Sequence, residues 1–403
     1  MSVIKKNKSL IFVLCYILYT SIYIARLNLS MTSPELKSTG VLNVTQIGIL
    51  GSVFSIVYAC GRLFNGIIGD TKPPYVMICT GLVLAGVSNV CISFFPPFIA
   101  IFILWGLNAY AQSMLWSSVL CIISAVYSKE VAKQKTAIMV SSVAMGNILG
   151  IVLNSFIISK MGVKFAFVIP GLLTIICGAV FFVAAKDIDN NASVSEKHIS
   201  VFGLFKNKDI KIATVPAVLH GMMKDNISLF MTVFFVDRYH IDLNKSTYFV
   251  LFIPIIGFVG RTIYPLCFKL CREDENKVSA YAFLCCFISS LMICFGFVPA
   301  WLAAVCLSII YACVSMINTS LLSIFPMRFA EEGNIASVSG MMDFATYCGA
   351  GIGSVFYGIL IEHFGYTPMF ASWVFVSVLS FMVLFKLLKN KKHNKDYAKK
   401  NQF

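Results

Sequence analysis

The sequence predicts an all-α integral membrane fold, with twelve transmembrane helices arranged as two pseudo-symmetric six-helix bundles. Composition is the first indication, because 58% of the residues are hydrophobic and only 12% are charged, whereas soluble domains carry roughly 25% charged residues. Apolar stretches of about 20 residues recur along the chain, and each is long enough to cross a bilayer as a helix. The two halves of the chain also repeat each other, which indicates the two bundles.

The apolar stretches define the expected helices. The predicted spans are 9–30, 45–69, 74–95, 98–122, 134–158, 163–185, 210–237, 246–268, 277–298, 300–325, 333–361 and 365–388. The predicted domains are an N-terminal bundle over 1–185, a cytoplasmic central loop over 186–209, a C-terminal bundle over 210–388 and a basic cytoplasmic tail over 389–403. The first apolar run is not followed by a small-residue cleavage site, so we interpret it as a retained span.

Lysine and arginine predict the orientation of the spans. With a cytoplasmic N-terminus, 23 of the 32 basic residues fall on the cytoplasmic side, five on the outer side and four within spans. Both termini are therefore expected to be cytoplasmic, in a multi-pass protein of the cell (inner) membrane. The net charge of +14 follows from this bias and from attraction to anionic lipid, so nucleic-acid binding is not expected.

The sequence offers no pattern typical of an enzyme, a metal site or a cofactor site. Nearly all of the 14 cysteines lie in apolar stretches, where free cysteine behaves as a small hydrophobe. Cys267 and Cys271 are four residues apart, but no nearby histidine would complete a zinc site. We therefore expect no catalytic residues, no metal ligands and no cofactor.

An internal repeat relates the two halves. The segment 26–31 in span one corresponds to 224–229 in span seven, 198 positions later. Further matches at similar offsets are Gly61-Arg62 with Gly260-Arg261, and the glycines at 146, 150 and 162 with those at 349, 353 and 365. Parallel six-span repeats are a transporter architecture in which the substrate binds near the bilayer midplane, between the halves.

Four cations interrupt the apolar pattern: Arg26, Arg62, Lys224 and Arg261. A cation inside the bilayer is costly, so it should face a partner or a wet cavity. All four come from the first two spans of each half, in equivalent pairs, and would converge on one electropositive cavity that binds an anion. Arg26 and Lys224 are the principal predicted ligands. Arg62 and Arg261 would bind the substrate, line its exit path or snorkel to the cytoplasmic interface.

The two acids within spans, Asp225 and Asp343, are predicted to form ion pairs with these cations or to carry a coupling proton. In the alternative interpretation all four cations are structural and pair with acids across helices, although two acids leave two cations in excess. His220 lies one turn before Lys224 and is a further candidate ligand or proton relay.

Asp70 and Lys72 follow Gly66 at the end of span two and are the predicted gating residues. The macrodipole disfavours an acid at a helix C-terminus. Asp70 should therefore have a compensating partner whose loss would open the cytoplasmic face, unless it is a solvated loop acid. The pattern Gly66-x-x-x-Asp70 with Lys72 resembles the 2–3 loop signature of the major facilitator superfamily, although Thr71 replaces the usual basic residue. The resemblance covers the whole chain and implies the major facilitator fold.

Two further segments resemble the organophosphate:phosphate antiporters and the related anion:cation symporters. Residues 23–30 contain their Y-x-x-R-x-N pattern, and 224–226 resembles the Arg-Asp-Gly of their seventh helix. The resemblance implies that Arg26 and Lys224 clamp an anionic group from opposite halves. The further substrate-binding residues that it implies are Tyr23, Asn28 and Asn226.

Two departures from that branch leave the substrate class open. Span five has no histidine where the glycerol-phosphate antiporters carry one, and Lys224 replaces an arginine, which weakens bidentate binding of phosphate. A carboxylate, cotransported with H⁺ or Na⁺, is therefore a rival to a sugar phosphate.

The resulting prediction is secondary active transport of a small organic anion, an organophosphate or a carboxylate, by alternating access. Its coupling ion would be H⁺, Na⁺ or phosphate, and we expect a monomer in the lipid bilayer. One alternative is a transporter-like sensor that binds an anion and signals to a partner. Another is a multidrug/H⁺ antiporter, although four buried positive charges should repel its lipophilic cations.

Overall fold

The computed structural model describes residues 8–69, 72–185, 207–295, 298–329 and 335–400. Within these ranges the chain is helical and has no strand. The helices are α1 (Lys8–Ser38), α2 (Val44–Gly69), α3 (Pro74–Ile92), α4 (Phe98–Ser113), α5 (Leu115–Val126), α6 (Lys129–Met161), α7 (Val163–Ala185), α8 (Lys208–Tyr239), α9 (Leu243–Leu270), α10 (Glu275–Cys294), α11 (Ala300–Thr319), α12 (Ile335–Phe364) and α13 (Tyr366–Lys400).

The predicted all-α membrane fold is confirmed, because each predicted span coincides with a helix. Span four consists of α4 and α5, which meet at Met114, a residue that keeps right-handed helical angles. Eleven spans in the described ranges are long and apolar enough to cross a membrane. The remaining one, α8, has 32 residues and carries Lys224 and Asp225 midway, so its charges make it less apolar than the others.

The repeat predicted from the glycines reappears in the packing of each half. In α6, a Cβ added at Gly146 would lie 2.5 Å from the Tyr23 Cβ, so the glycine lets α6 approach α1 closely. In α12, a Cβ added at Gly349 would lie 1.9 Å from the Val218 carbonyl oxygen of α8. The first span of each half therefore packs against the fifth span of the same half through small residues.

Helices α6 and α12 also end in the same way. Gly162 follows α6 with φ +90° and Gly365 follows α12 with φ +77°, a left-handed region that glycine enters without steric cost. Each glycine N–H donates to the carbonyl four residues earlier, Ile158 or Ile361, at 3.0 Å. The repeat thus includes the helix ends as well as the helix contacts.

By contacts, the chain divides into two compact units. The first unit comprises residues 1–196 and 228–251, and the second comprises 197–227 and 252–403. The second half of α8 and the start of α9 therefore belong to the first unit. The division at 186–209 that the sequence suggests stays a prediction, and residues 186–206 lie outside the described ranges.

Helix α1 contacts several helices of the first unit. It is buried along most of its length, between α6 on one side and α3 and α7 on the other. Pro34 falls in its last turns without ending it. A helix fixed on several sides holds any side chain that it carries in a defined direction, and this is the helix that carries Arg26.

Candidate substrate-binding site

Arg26 lies among aromatic rings of the first unit. Its guanidinium carbon is 4.4 Å from the ring centroid of Phe54, 5.3 Å from that of Tyr58 and 5.7 Å from that of Tyr23. A cation over an aromatic face is attracted by the ring quadrupole and keeps its full charge. These contacts therefore stabilise a positive charge within the membrane without cancelling it.

Phe54 and Tyr58 did not emerge from the sequence as site residues. They lie eight and four residues before Arg62 on α2, a spacing that puts all three side chains on one helix face. The Phe54 and Tyr58 rings are stacked, with centroids 6.0 Å apart, and Arg62 lies 5.9 Å from the Tyr58 centroid. This spacing of four, leading up to an intramembrane arginine, is the signal that would have identified them.

Lys224 occupies the corresponding position in the second unit. Its Nζ is 4.9 Å from the Tyr347 ring centroid and 3.8 Å from Asp225 Oδ1. Adjacent residues on a helix point about 100° apart, which prevents a close ion pair. Lys224 and Asp225 are both half-buried, and the other oxygen of Asp225 is buried without a hydrogen-bond partner among the described residues.

The two asparagines of the repeat are buried inside their own units. Asn28 donates to Asn89 Oδ1 at 2.5 Å. Asn226 donates to the Met222 carbonyl at 2.7 Å and accepts from the Ser354 hydroxyl at 2.8 Å. Both side chains are fully buried, so each contacts neighbouring helices of its own unit.

His220 joins α8 to α11. It is fully buried, and its Nε2 lies 3.0 Å from the Val314 carbonyl oxygen. Its Nδ1 has no hydrogen-bond partner among the described residues. The structure therefore puts this predicted ligand in a helix contact one turn from Lys224.

The remaining predicted residues are more dispersed. Arg261 on α9 and Asp343 on α12 are half-buried, and Lys72 is exposed. Asp70 lies outside the described residues, and so does its predicted gating contact. The described ranges contain no group of three or more histidine, cysteine or acidic side chains that could hold a metal ion.

Repeated bundles of membrane-spanning helices, with ionisable residues inside the spans, are features of secondary transporters. The chain belongs to the Major Facilitator Superfamily, whose family model matches residues 15–354. A single-residue variant of the nucleoside transporter NupG superposes on 94% of this chain and 99% of its own, with a TM-score of 0.79 at 16% identity. A bacterial homologue of the lysosomal transporter Spinster covers 94% and 95% at a TM-score of 0.73 and 13% identity. These two likenesses concern the fold alone.

The proteins that resemble this chain in sequence have names that cover a narrower range of functions than those of the similar structures. A probable hexose phosphate transport protein of Chlamydia muridarum is 26% identical over 169 residues, 42% of this chain and 37% of that protein. The membrane sensor protein UhpC of Escherichia coli is 31% identical over 113 residues, 28% and 25% of the two chains. The phosphoglycerate transporter protein of Salmonella typhimurium is 35% identical over 80 residues, 20% and 17%. The chain thus spans well under half the length of these relatives, and the predicted resemblance to the organophosphate:phosphate antiporter branch is confirmed.

Proposed function

We propose that the protein moves a small organic anion, foremost an organophosphate, across the cell membrane by alternating access, and that Arg26 and Lys224 bind this anion. The observation that carries the proposal is the pair of repeat-equivalent cations, each in contact with tyrosine inside its own unit. Aromatic contact leaves the charge of a cation intact. An anion is the ligand that offsets the cost of holding such charges within a membrane.

The names of the relatives support a phosphorylated substrate. A transport protein for hexose phosphate and one for phosphoglycerate both match this chain. A phosphate group offers several charged acceptor oxygens, which can bond the arginine fork and the lysine ammonium together. Lysine at position 224 also suits a carboxylate, so carboxylates are the comparison substrates in the test below.

Asp225 is the proposed coupling residue. Its Oδ1 lies 3.8 Å from Lys224 Nζ, and its other oxygen is buried without a hydrogen-bond partner among the described residues. An anion that engages Lys224 would compete with Asp225 for the lysine, which would couple Asp225 to substrate binding. Asp343, the other acid within a span, is the second candidate, and exchange against phosphate is the alternative form of coupling.

Transport by purified protein in proteoliposomes tests the proposal. Uptake of radiolabelled hexose phosphate, phosphoglycerate and a dicarboxylate is measured with inorganic phosphate inside the vesicles or with a pH gradient across them. Arg26→Ala and Lys224→Ala should each abolish uptake while the protein stays in the membrane. Lys164→Ala is the matched control, because Lys164 also contacts an aromatic ring, Phe94 at 5.2 Å, but is exposed at the start of α7. Near-normal transport by both single variants would refute the role of these cations.

The same experiment separates the two other functions. The similarity to UhpC, whose name is membrane sensor protein, favours a sensor as the second candidate. A sensor would bind the anion without counterflow. A multidrug/H⁺ antiporter would carry lipophilic cations, which the positive charges at Arg26 and Lys224 disfavour.

A further inference from the structure

We propose that Asn28 is a positioning residue, which acts with Asn89 and Asn108 to hold the part of α1 that presents Arg26. This inference rests on the proposed function of Arg26, and it replaces the role of substrate ligand that the sequence suggests for Asn28. Its basis is a chain of buried amide side chains that joins α1, α3 and α4 within the first unit.

The amide chain is continuous and fully enclosed. Asn28 on α1 donates to Asn89 Oδ1 on α3 at 2.5 Å. Asn89 donates to Asn108 Oδ1 on α4 at 3.5 Å, and Gln112, one turn further on α4, donates to the same oxygen at 3.1 Å. The three asparagines are 0% exposed and Gln112 is 4% exposed. A side chain enclosed to this degree contacts protein and not substrate.

A second route connects Arg26 to the same helix. Arg26 lies over Phe54, and the Phe54 and Trp105 ring centroids are 5.5 Å apart. Trp105 and Asn108 are three residues apart on α4, so they lie on one face of that helix. The aromatic contacts and the amide chain therefore start two residues apart on α1 and end one turn apart on α4.

The main chain of α1 is also held at the same level by a second helix. Asn154 on α6 is fully buried and donates to the Ile24 carbonyl oxygen at 3.1 Å. Ile24 and Asn28 are four residues apart and lie on one helix face, so amides from α6 and α3 act on a single turn of α1. Arg26 lies between them in sequence, about 200° around the helix from each. Both amides thus resist a rotation of α1 that would move Arg26 away from Phe54.

Hydrogen bonds are suited to this task in a membrane. Lipid is as apolar as leucine, so apolar packing alone selects the rotation of a helix weakly, and bonds between polar side chains contribute much of the specificity. An amide without a partner in that environment is unfavourable. Rotations that separate Asn28 from Asn89 are therefore disfavoured.

The second unit contains a comparable arrangement. Asn226 stands two residues after Lys224, as Asn28 stands two residues after Arg26. It donates to the Ala350 carbonyl oxygen of α12 at 3.3 Å and accepts from Ser354 on the same helix at 2.8 Å. Each cation is thus followed, at the same spacing, by a buried amide that fixes its helix to a neighbour of its own unit.

The test compares variants along the amide chain with a neighbour outside it. The variants are Asn28→Leu, Asn89→Leu, the double variant and Asn89→Asp, which in its protonated form keeps an acceptor for Asn28. The control is Ser88→Ala, because Ser88 is buried on the same helix and its hydrogen bond among the described residues goes to the Leu84 carbonyl oxygen, one turn earlier, at 2.8 Å. The KM and Vmax for hexose phosphate uptake are measured in proteoliposomes, together with the melting temperature of each protein.

We expect Asn28→Leu and Asn89→Leu each to raise the KM about threefold, the effect of losing one hydrogen bond of average strength between membrane helices. Vmax per folded transporter should change less than KM. The double variant should be no worse than the poorer single one, and Asn89→Asp and Ser88→Ala should keep the wild-type KM.

Two results would overturn the inference. A raised KM in Asn28→Leu with a wild-type KM in Asn89→Leu would mean that Asn28 contacts the substrate directly. Wild-type KM values in both variants, with only Vmax lowered, would mean that the chain affects folding alone. If the wild-type protein carries no hexose phosphate, phosphoglycerate or dicarboxylate, the proposed function fails instead. The melting temperatures then still test the amide chain, which is refuted if the losses of the two single variants add in the double variant.

Discussion

An ion pair joins Lys37 at the end of α1 to Asp237 near the end of α8. Reversing either charge should destabilise the first unit. Lys37 Nζ lies 2.6 Å from Asp237 Oδ2, and the two side chains are 40% and 24% exposed. A pair with this exposure contributes roughly 0.2–1 kcal/mol. Lys37→Asp or Asp237→Lys removes that attraction and adds a repulsion of similar size between like charges.

The expected total loss is therefore about 1 kcal/mol, which corresponds to a fall in melting temperature of roughly 2–4 °C for a unit of this size. The melting temperature is measured by fluorescence in detergent at low salt and again at high salt. At about 1 M salt the screening length is roughly 3 Å, so the loss should shrink there. The exchanged variant Lys37→Asp/Asp237→Lys should recover most of the lost stability.

Lys164→Asp is the control, because Lys164 is an exposed lysine at the start of α7 whose described contact is the Phe94 ring. Failure of the exchanged variant to recover, or an unchanged loss at high salt, would refute the electrostatic explanation. Other contacts at the same end, such as the bond between Ser155 and Thr247 at 2.5 Å, would then hold this part of the unit together.

Two further predictions concern the second unit. Gly349→Ala should strongly lower the melting temperature and uptake, because the new Cβ would lie 1.9 Å from the carbonyl oxygen of Val218. The control is Gly340→Ala on the same helix, where no neighbouring atom lies within 4 Å of the new Cβ. This control should leave stability unchanged or raise it by up to about 1 kcal/mol. Arg328→Leu should destabilise the protein by about 2–4 kcal/mol, because it leaves the buried Glu275 at the start of α10 without its ion-pair partner. Adding Glu275→Gln to that variant should restore part of the lost stability. Equal melting temperatures for Arg328→Leu and the double variant would contradict this explanation.

Much of the fold could be predicted because lipid restricts the choice of structure. Every backbone group within the bilayer must be bonded internally, so each long apolar stretch becomes a helix. The sequence repeat of the glycines also predicted a structural repeat, since Gly162 and Gly365 both adopt a positive φ at equivalent helix ends. Arg26 and Lys224 could be singled out as candidate site residues because a charged residue interrupts an apolar stretch.

The face that each helix turns inward could not be predicted in the same way. In water, polar residues indicate the exposed face, whereas in lipid both faces are apolar. Phe230 is 0% exposed and Phe252 is 57% exposed, yet both are phenylalanines within long spans. For the same reason Phe54 and Tyr58 could not be distinguished among 35 phenylalanines and 16 tyrosines.

The assignment of 228–251 to the first unit has a thermodynamic consequence for α8. Lys224 and Asp237 stand on one continuous helix, 13 residues and about 20 Å apart, yet they belong to different units. If the anion binds at Lys224 as proposed, and if binding strengthens or weakens the ion pair between Asp237 and Lys37, that ion pair changes the affinity for the anion by the same free energy. A substitution at the end of α8, at a residue that contacts no substrate, would then change the affinity for the substrate.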